Sequence, residues 1–103
     1  MNESQVITED HIDLMHHIQS NPNASQREIA KRTGLSIGKV NYCLKALIDI
    51  GFIKVHSFSK SNKKINYIYI LTPIGIQKKV AITKKFILKK KQEYDKLNSY
   101  ISR

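Results

Sequence analysis

Between Ala24 and Ile53 the chain reads ASQREIAKRTGLSIGKVNYCLKALIDIGFI, and this stretch leaves little choice of fold. Ser25 and Glu28 form an S-x-x-E capping box, which starts a helix by satisfying its orphan backbone N–H groups. Ile29 and Ala30 give that short helix an inward face. Gly34 stands where the chain must reverse, and glycine tolerates the left-handed backbone such turns need. Ser36 is a second N-cap. From it Ile37, Val40, Leu44, Leu47 and Ile48 recur at helical steps, which predicts a buried stripe. Gly51 closes the second helix. Two short helices across a tight turn make a helix-turn-helix, whose second helix can enter the major groove of DNA. The stripe is one-sided, so Gly38, Lys39, Asn41, Tyr42 and Lys45 are left on or near the opposite side, where a duplex would be met.

The remaining segments extend this unit. Residues 1–7 read as a flexible arm. Thr8 caps a first helix, with Glu9 and Asp10 favourably placed against its N-terminal dipole. Ile12, Met15 and Ile18 form its stripe, joined by Leu14 and His11, and Asn21-Pro22-Asn23 ends it. Phe52 to Phe58 reads as a strand, Ser59 to Lys64 as a polar basic loop, and Ile65 to Leu71 as a second strand. Ile65, Tyr67, Tyr69 and Leu71 share one face by the two-residue period. The result is a β-hairpin with a basic tip, the wing of a winged helix. Thr72-Pro73 then opens a long helix, threonine as N-cap and proline at the first helical position. The fold class is therefore mainly α with a small β-hairpin: a winged helix-turn-helix over 8–72 followed by a C-terminal helix over 73–103.

That helix would span roughly 40 Å, far more than a three-helix core can cover. Ile76, Val80, Thr83, Ile87, Lys90, Tyr94, Leu97 and Ile101 alternate steps of four and three, a heptad seam interrupted at Thr83 and Lys90. Ile82, Phe86 and Leu88 add apolar surface beside it. The seam reads as a dimerisation arm carried by Ile76, Val80, Ile87, Tyr94, Leu97 and Ile101. The alternative is that the helix folds back over its own domain and the pattern is ordinary amphipathicity.

The formal charge of +10 is unevenly placed. Residues 1–50 hold 5 basic and 6 acidic side chains, and residues 51–103 hold 13 and 2. A one-sided positive field attracts polyanions, chiefly nucleic acid or an anionic membrane surface. Genome base bias could inflate lysine by itself, but it would not explain the asymmetry. With Cys43 as the single cysteine there is no disulfide framework or Cys-rich zinc site, which fits a reducing compartment. Cys43 neighbours the stripe and reads as a small apolar side chain. His11, His16, His17 and His56 lack metal-ligand spacing, so no metal or cofactor is expected. No apolar run approaches the ~20 residues of a membrane span, and the polar, acidic start is unlike a signal peptide, so a cytoplasmic protein without membrane contact is expected. Without a Gly-rich phosphate loop, a nucleophile elbow or paired carboxylates, the chain does not read as an enzyme.

The order of helix, helix-turn-helix, wing, Thr-Pro-x-Gly and long helix resembles the winged-helix regulators of the MarR type. Residues 25–55 and ILTPIGIQKK (70–79) carry the resemblance. GKVNYCLKAL and the LTP-x-G junction are most similar to the small exopolysaccharide-locus-associated branch. The resemblance implies a homodimer that binds operator DNA and regulates transcription. It also implies a supporting helix at Ser25 to Arg32, a recognition helix at Ser36 to Ile50 and a wing tip at Lys60 to Lys64. Larger MarR proteins build their dimer from both terminal helices, often around an effector pocket. Here the N-terminal element is short, which puts the C-terminal helix at the centre of the dimer and argues against a small-molecule pocket.

In that reading Lys39 would donate to guanine O6 and N7, and Asn41 would pair with adenine through N6 and N7. Tyr42 would meet a thymine methyl or a phosphate, Gly38 would permit close backbone approach, and Lys45 would add a further contact. Ser25, Gln26, Arg27 and Ser36 sit at helix starts suited to phosphates. Lys60, Lys63 and Lys64 would lie on the minor groove or its backbone. Tyr67 and Tyr69 read as hairpin core. Two other readings remain open: a winged-helix protein-interaction module that reads no bases, and a non-specific DNA or RNA binder driven by lysines.

Overall fold

The computed structural model describes residues 6–61 and 64–102, with the backbone alone described over 58–61 and 64–66. Along the chain come α1 (Glu9–Ser20), α2 (Gln26–Thr33), α3 (Ile37–Asp49), β1 (Ile53–Ser61), β2 (Lys64–Leu71) and α4 (Pro73–Ile101). Each helix starts where its cap predicts. Ser25 Oγ accepts from the Glu28 N–H at 3.1 Å, and the Ser25 N–H donates to Glu28 Oε1 at 2.9 Å. These bonds hold the Glu28 carboxyl below the usual glutamate range. Ser36 Oγ accepts from the Lys39 N–H at 3.0 Å and Thr72 Oγ1 from the Gly75 N–H at 3.0 Å. Gly34 ends α2 with a φ of 79°, in the left-handed region.

The start of α1 uses a different device. His11, at the third helical position, accepts the Thr8 N–H on Nδ1 at 3.0 Å, and Thr8 Oγ1 lies 2.8 Å from the same nitrogen. His11 is buried, and burial, reinforced by the nearby Lys39 charge, pushes its pKa below the ordinary value. The neutral ring is the form this cap needs. Below about pH 6.5 the unfolded chain binds the proton that the folded chain resists, so the stability this ring contributes is full above that pH and falls as pH drops toward the folded pKa. Thermal melts should show a decline between pH 7 and 5 that His11→Gln flattens. An equally steep decline in the variant would rule the ring out as the cause.

The core is built from α1 (Leu14, Met15, Ile18), α2 (Ile29, Ala30), α3 (Val40, Cys43, Leu44, Leu47) and the base of the hairpin (Ile53, Tyr69, Leu71), with Ala24 in the turn. In α1 the buried stripe runs through His11, Leu14, Met15 and Ile18, while Ile12 is half-buried. Ile37, expected in the α3 stripe, is instead 48% exposed. Cys43 takes part in the buried stripe, and burial pushes its thiol pKa up, so it packs as a small apolar group.

The hairpin is longer than its apolar pattern suggests. β1 and β2 pair antiparallel from Ile53↔Leu71 through Ser59↔Ile65 to Ser61↔Lys64, so most of the expected 59–64 loop is strand. The register shifts between Ser59 and Ser61, which makes Lys60 the extra residue of a β-bulge. Burial fades along the ribbon. Ile53, Leu71 and Tyr69 are inside, whereas Val55 and Tyr67 are exposed, so Tyr67 is not hairpin core as expected.

α4 contributes Gly75 as its one buried residue among those described. From Lys79 to Lys90 it runs antiparallel to α1. Lys79 Nζ donates to Gln19 Oε1 at 2.7 Å, and Lys90 Nζ lies 3.1 Å from Glu9 Oε2. Both partners of the second pair are largely exposed, so it adds little stability. Ile12, Phe86 and Ile87 line the groove between the two helices. From Lys89 to Ser102 every residue is exposed. The helix thus folds along its own domain at the start and leaves it at the end.

Candidate nucleic-acid interface

Two capped helices set the geometry of this surface. Because Val40, Cys43, Leu44 and Leu47 turn α3 inward, Gly38, Lys39, Tyr42 and Lys45 are left exposed along its outer side. Lys39 Nζ lies 5.7 Å from the Tyr42 ring centroid, a cation–π contact one turn apart. Ile37, in the first turn of the same helix, is also exposed, on the side toward α2. An exposed apolar side chain there is chemically suited to a thymine methyl, a property the apolar stripe concealed. Its position next to the Ser36 cap, ahead of the turns that pack, was the signal available.

The start of α2 lies beside α3. Ser25 and Arg27 are exposed and Gln26 is half-buried. Ser25 and Ser36 spend an oxygen lone pair on their own helix caps and keep a hydroxyl proton to donate. Gln26 is engaged inside the protein: its Nε2 donates to the Tyr69 hydroxyl at 3.0 Å, and its Oε1 accepts from Asn41 Nδ2 at 3.4 Å. Asn41 is half-buried by this contact, unlike its neighbours on the outer side. Lys60 and Lys64 fall on the strands near the wing tip, and Lys63 lies outside the described residues.

Thr72 and Gly75 join this surface to α4. Thr72 Oγ1 donates to the Gly51 carbonyl at 2.6 Å, just beyond the end of α3, and the Thr72 N–H donates to the Phe52 carbonyl at 3.0 Å. Gly75 packs directly on that carbonyl. A Cβ there would fall 2.9 Å from the Phe52 carbonyl carbon and closer still to its oxygen. Gly75 is therefore what lets the first turn of α4 sit against the turn that follows α3. Among the described residues no helix is long and apolar enough to cross a membrane, and no cluster of His, Cys, Asp or Glu could hold a metal ion.

Residues 10–54 match a family model described as winged helix-turn-helix DNA-binding. No curated protein matches the chain by sequence. Several solved structures share its fold. FabT of Streptococcus pneumoniae, in complex with DNA, superposes over 91% of this chain and 64% of its own, with a TM-score of 0.64 at 15% identity. A MarR family transcription regulator superposes over 97% and 72%, with a TM-score of 0.67 at 15% identity. MepR of S. aureus, in a DNA complex, superposes over 93% and 77%, with a TM-score of 0.62 at 22% identity. The chain thus spans just under two thirds of the length of FabT. Its winged helix-turn-helix domain and long final helix together take the fold of MarR-family transcription regulators.

Proposed function

We propose that this protein is a homodimeric, sequence-specific DNA-binding transcriptional regulator of the MarR type. α3 enters the major groove, the basic wing lies on the adjacent backbone or minor groove, and the exposed end of α4 pairs with a second copy. The observation that carries this reading is the outer side of α3, where Gly38, Lys39, Tyr42 and Lys45 stand exposed on a helix fixed by its cap and core. The DNA complexes of FabT and MepR support it, as does the lysine excess in the second half of the chain. The GKVNYCLKAL and LTP-x-G segments favour the exopolysaccharide-associated branch. Paired recognition helices would read a pseudo-palindrome with half-sites about 10 bp apart.

A fluorescence-anisotropy titration of the protein against the duplex upstream of its own gene, beside a scrambled duplex, tests this. A preference of about 10³-fold or more is expected at near-physiological salt. Equal affinity for both, with a steep salt dependence, would favour lysine-driven non-specific binding. No binding to either would favour a protein-interaction module. Lys39→Ala should cost about 1–3 kcal/mol on the preferred duplex while leaving scrambled DNA nearly unaffected. An equal loss on both would make Lys39 a phosphate contact.

A further inference from the structure

The buried Tyr69 hydroxyl, the Gln26 amide and the Asn41 amide form a hydrogen-bonded chain across β2, α2 and α3. We infer that Gln26 and Tyr69 are positioning residues that hold Asn41 ready to read one base. This rests on the DNA-reading function proposed above and adds to it which residues set specificity.

An asparagine on an open helix face rotates freely, and fixing it on binding costs conformational entropy. Here one hydrogen of Asn41 Nδ2 is taken by Gln26 Oε1. Among the described residues the other hydrogen and Oδ1 have no partner, which leaves a donor beside an acceptor. That pair matches adenine in the major groove, N7 accepting and the N6 amine donating. Gln26 can hold Asn41 because its own amide is held in turn, Nε2 donating to Tyr69. Tyr69 is buried in the base of the wing and cannot drift. The wing therefore acts on recognition from behind, through α2, in addition to any contact its tip makes with DNA. Nothing local in the sequence marks this chain, since Gln26 and Tyr69 stand 43 positions apart.

The test is selection of bound duplexes from a randomised double-stranded DNA library by the full-length protein and by Tyr69→Phe, Gln26→Ala and Asn41→Ala. Tyr69→Phe keeps the ring and removes the hydroxyl alone, so its thermal melt should stay cooperative and fall by no more than the loss of one hydrogen bond allows. The parent should select a motif, and Asn41→Ala should relax one position in each half-site. Tyr69→Phe and Gln26→Ala should relax that same position about three- to tenfold, the scale of one lost hydrogen bond, and leave the others intact. Adding Tyr69→Phe to Asn41→Ala should change the preference no further. If the parent selects a motif and the Tyr69 and Gln26 variants keep it whole, or lose affinity equally at all positions, the positioning role is overturned. If the parent selects no motif, the DNA-reading function fails first and this inference falls with it.

Discussion

Gly75→Ala should lower stability by about 3 kcal/mol, the upper end of what overpacking costs, and thermal midpoints should fall by roughly 10–20 °C. The sign makes this informative. In a helix without tertiary contact, exchanging glycine for alanine stabilises by about 1 kcal/mol. Here the added methyl would be driven into the Phe52 carbonyl group. Backbone cannot swing aside as a side chain can, so α4 must lift off the turn. Lifting it strains the Thr72 bonds to Gly51 and Phe52. A neutral or stabilising outcome in a thermal melt would mean that α4 is not seated on this turn in solution. DNA binding should weaken alongside, because the same turn fixes the end of α3.

Replacing Leu97 and Ile101 with glutamate together should separate folding from assembly. These side chains are 61% and 84% exposed, beyond the stretch where α4 runs along α1, so the domain loses nothing when they become polar. Melts of dilute protein should barely move. Under the dimer proposed above, sedimentation should report half the mass. Affinity for a duplex with two half-sites should fall about 10²- to 10⁴-fold, the advantage of linked binding, while single half-site affinity stays the same. Unchanged mass in the double variant would remove the distal seam from the dimer. The proximal seam residues Ile76, Val80 and Ile87 would then be the next to change.

Much of this architecture is legible in the residues, and the exceptions have physical reasons. Ser25, Ser36 and Thr72 announce helix starts because a cap is a local bond between neighbours in sequence. His11 does the same work at α1 and goes unnoticed, since a histidine in place of Glu or Gln is not the usual signature. Ser59 to Ser61 look like loop because pairing there comes from backbone hydrogen bonds rather than from apolar alternation. Ile37 fits a helical stripe on paper, yet spacing says nothing about which side chains the neighbouring elements cover. Gly75 and the Tyr69–Gln26–Asn41 chain depend on contacts between residues far apart in sequence, and no pattern along the chain encodes them. The outer side of α3 was readable as a surface, but which of its side chains is held and which is free was not.

The Thr72 hydroxyl bonds the end of one helix and the start of the next with a single oxygen. In mechanical terms the joint is a weld and not a hinge. A reading head welded to its arm cannot swivel to follow a displaced target. In a dimer joined through α4, inserting one base pair between half-sites turns the second about 35° around the duplex axis. That turn would have to be met by twisting the DNA or breaking the weld. Operators for this protein should therefore tolerate substitutions in the bases between half-sites far better than any change in their number.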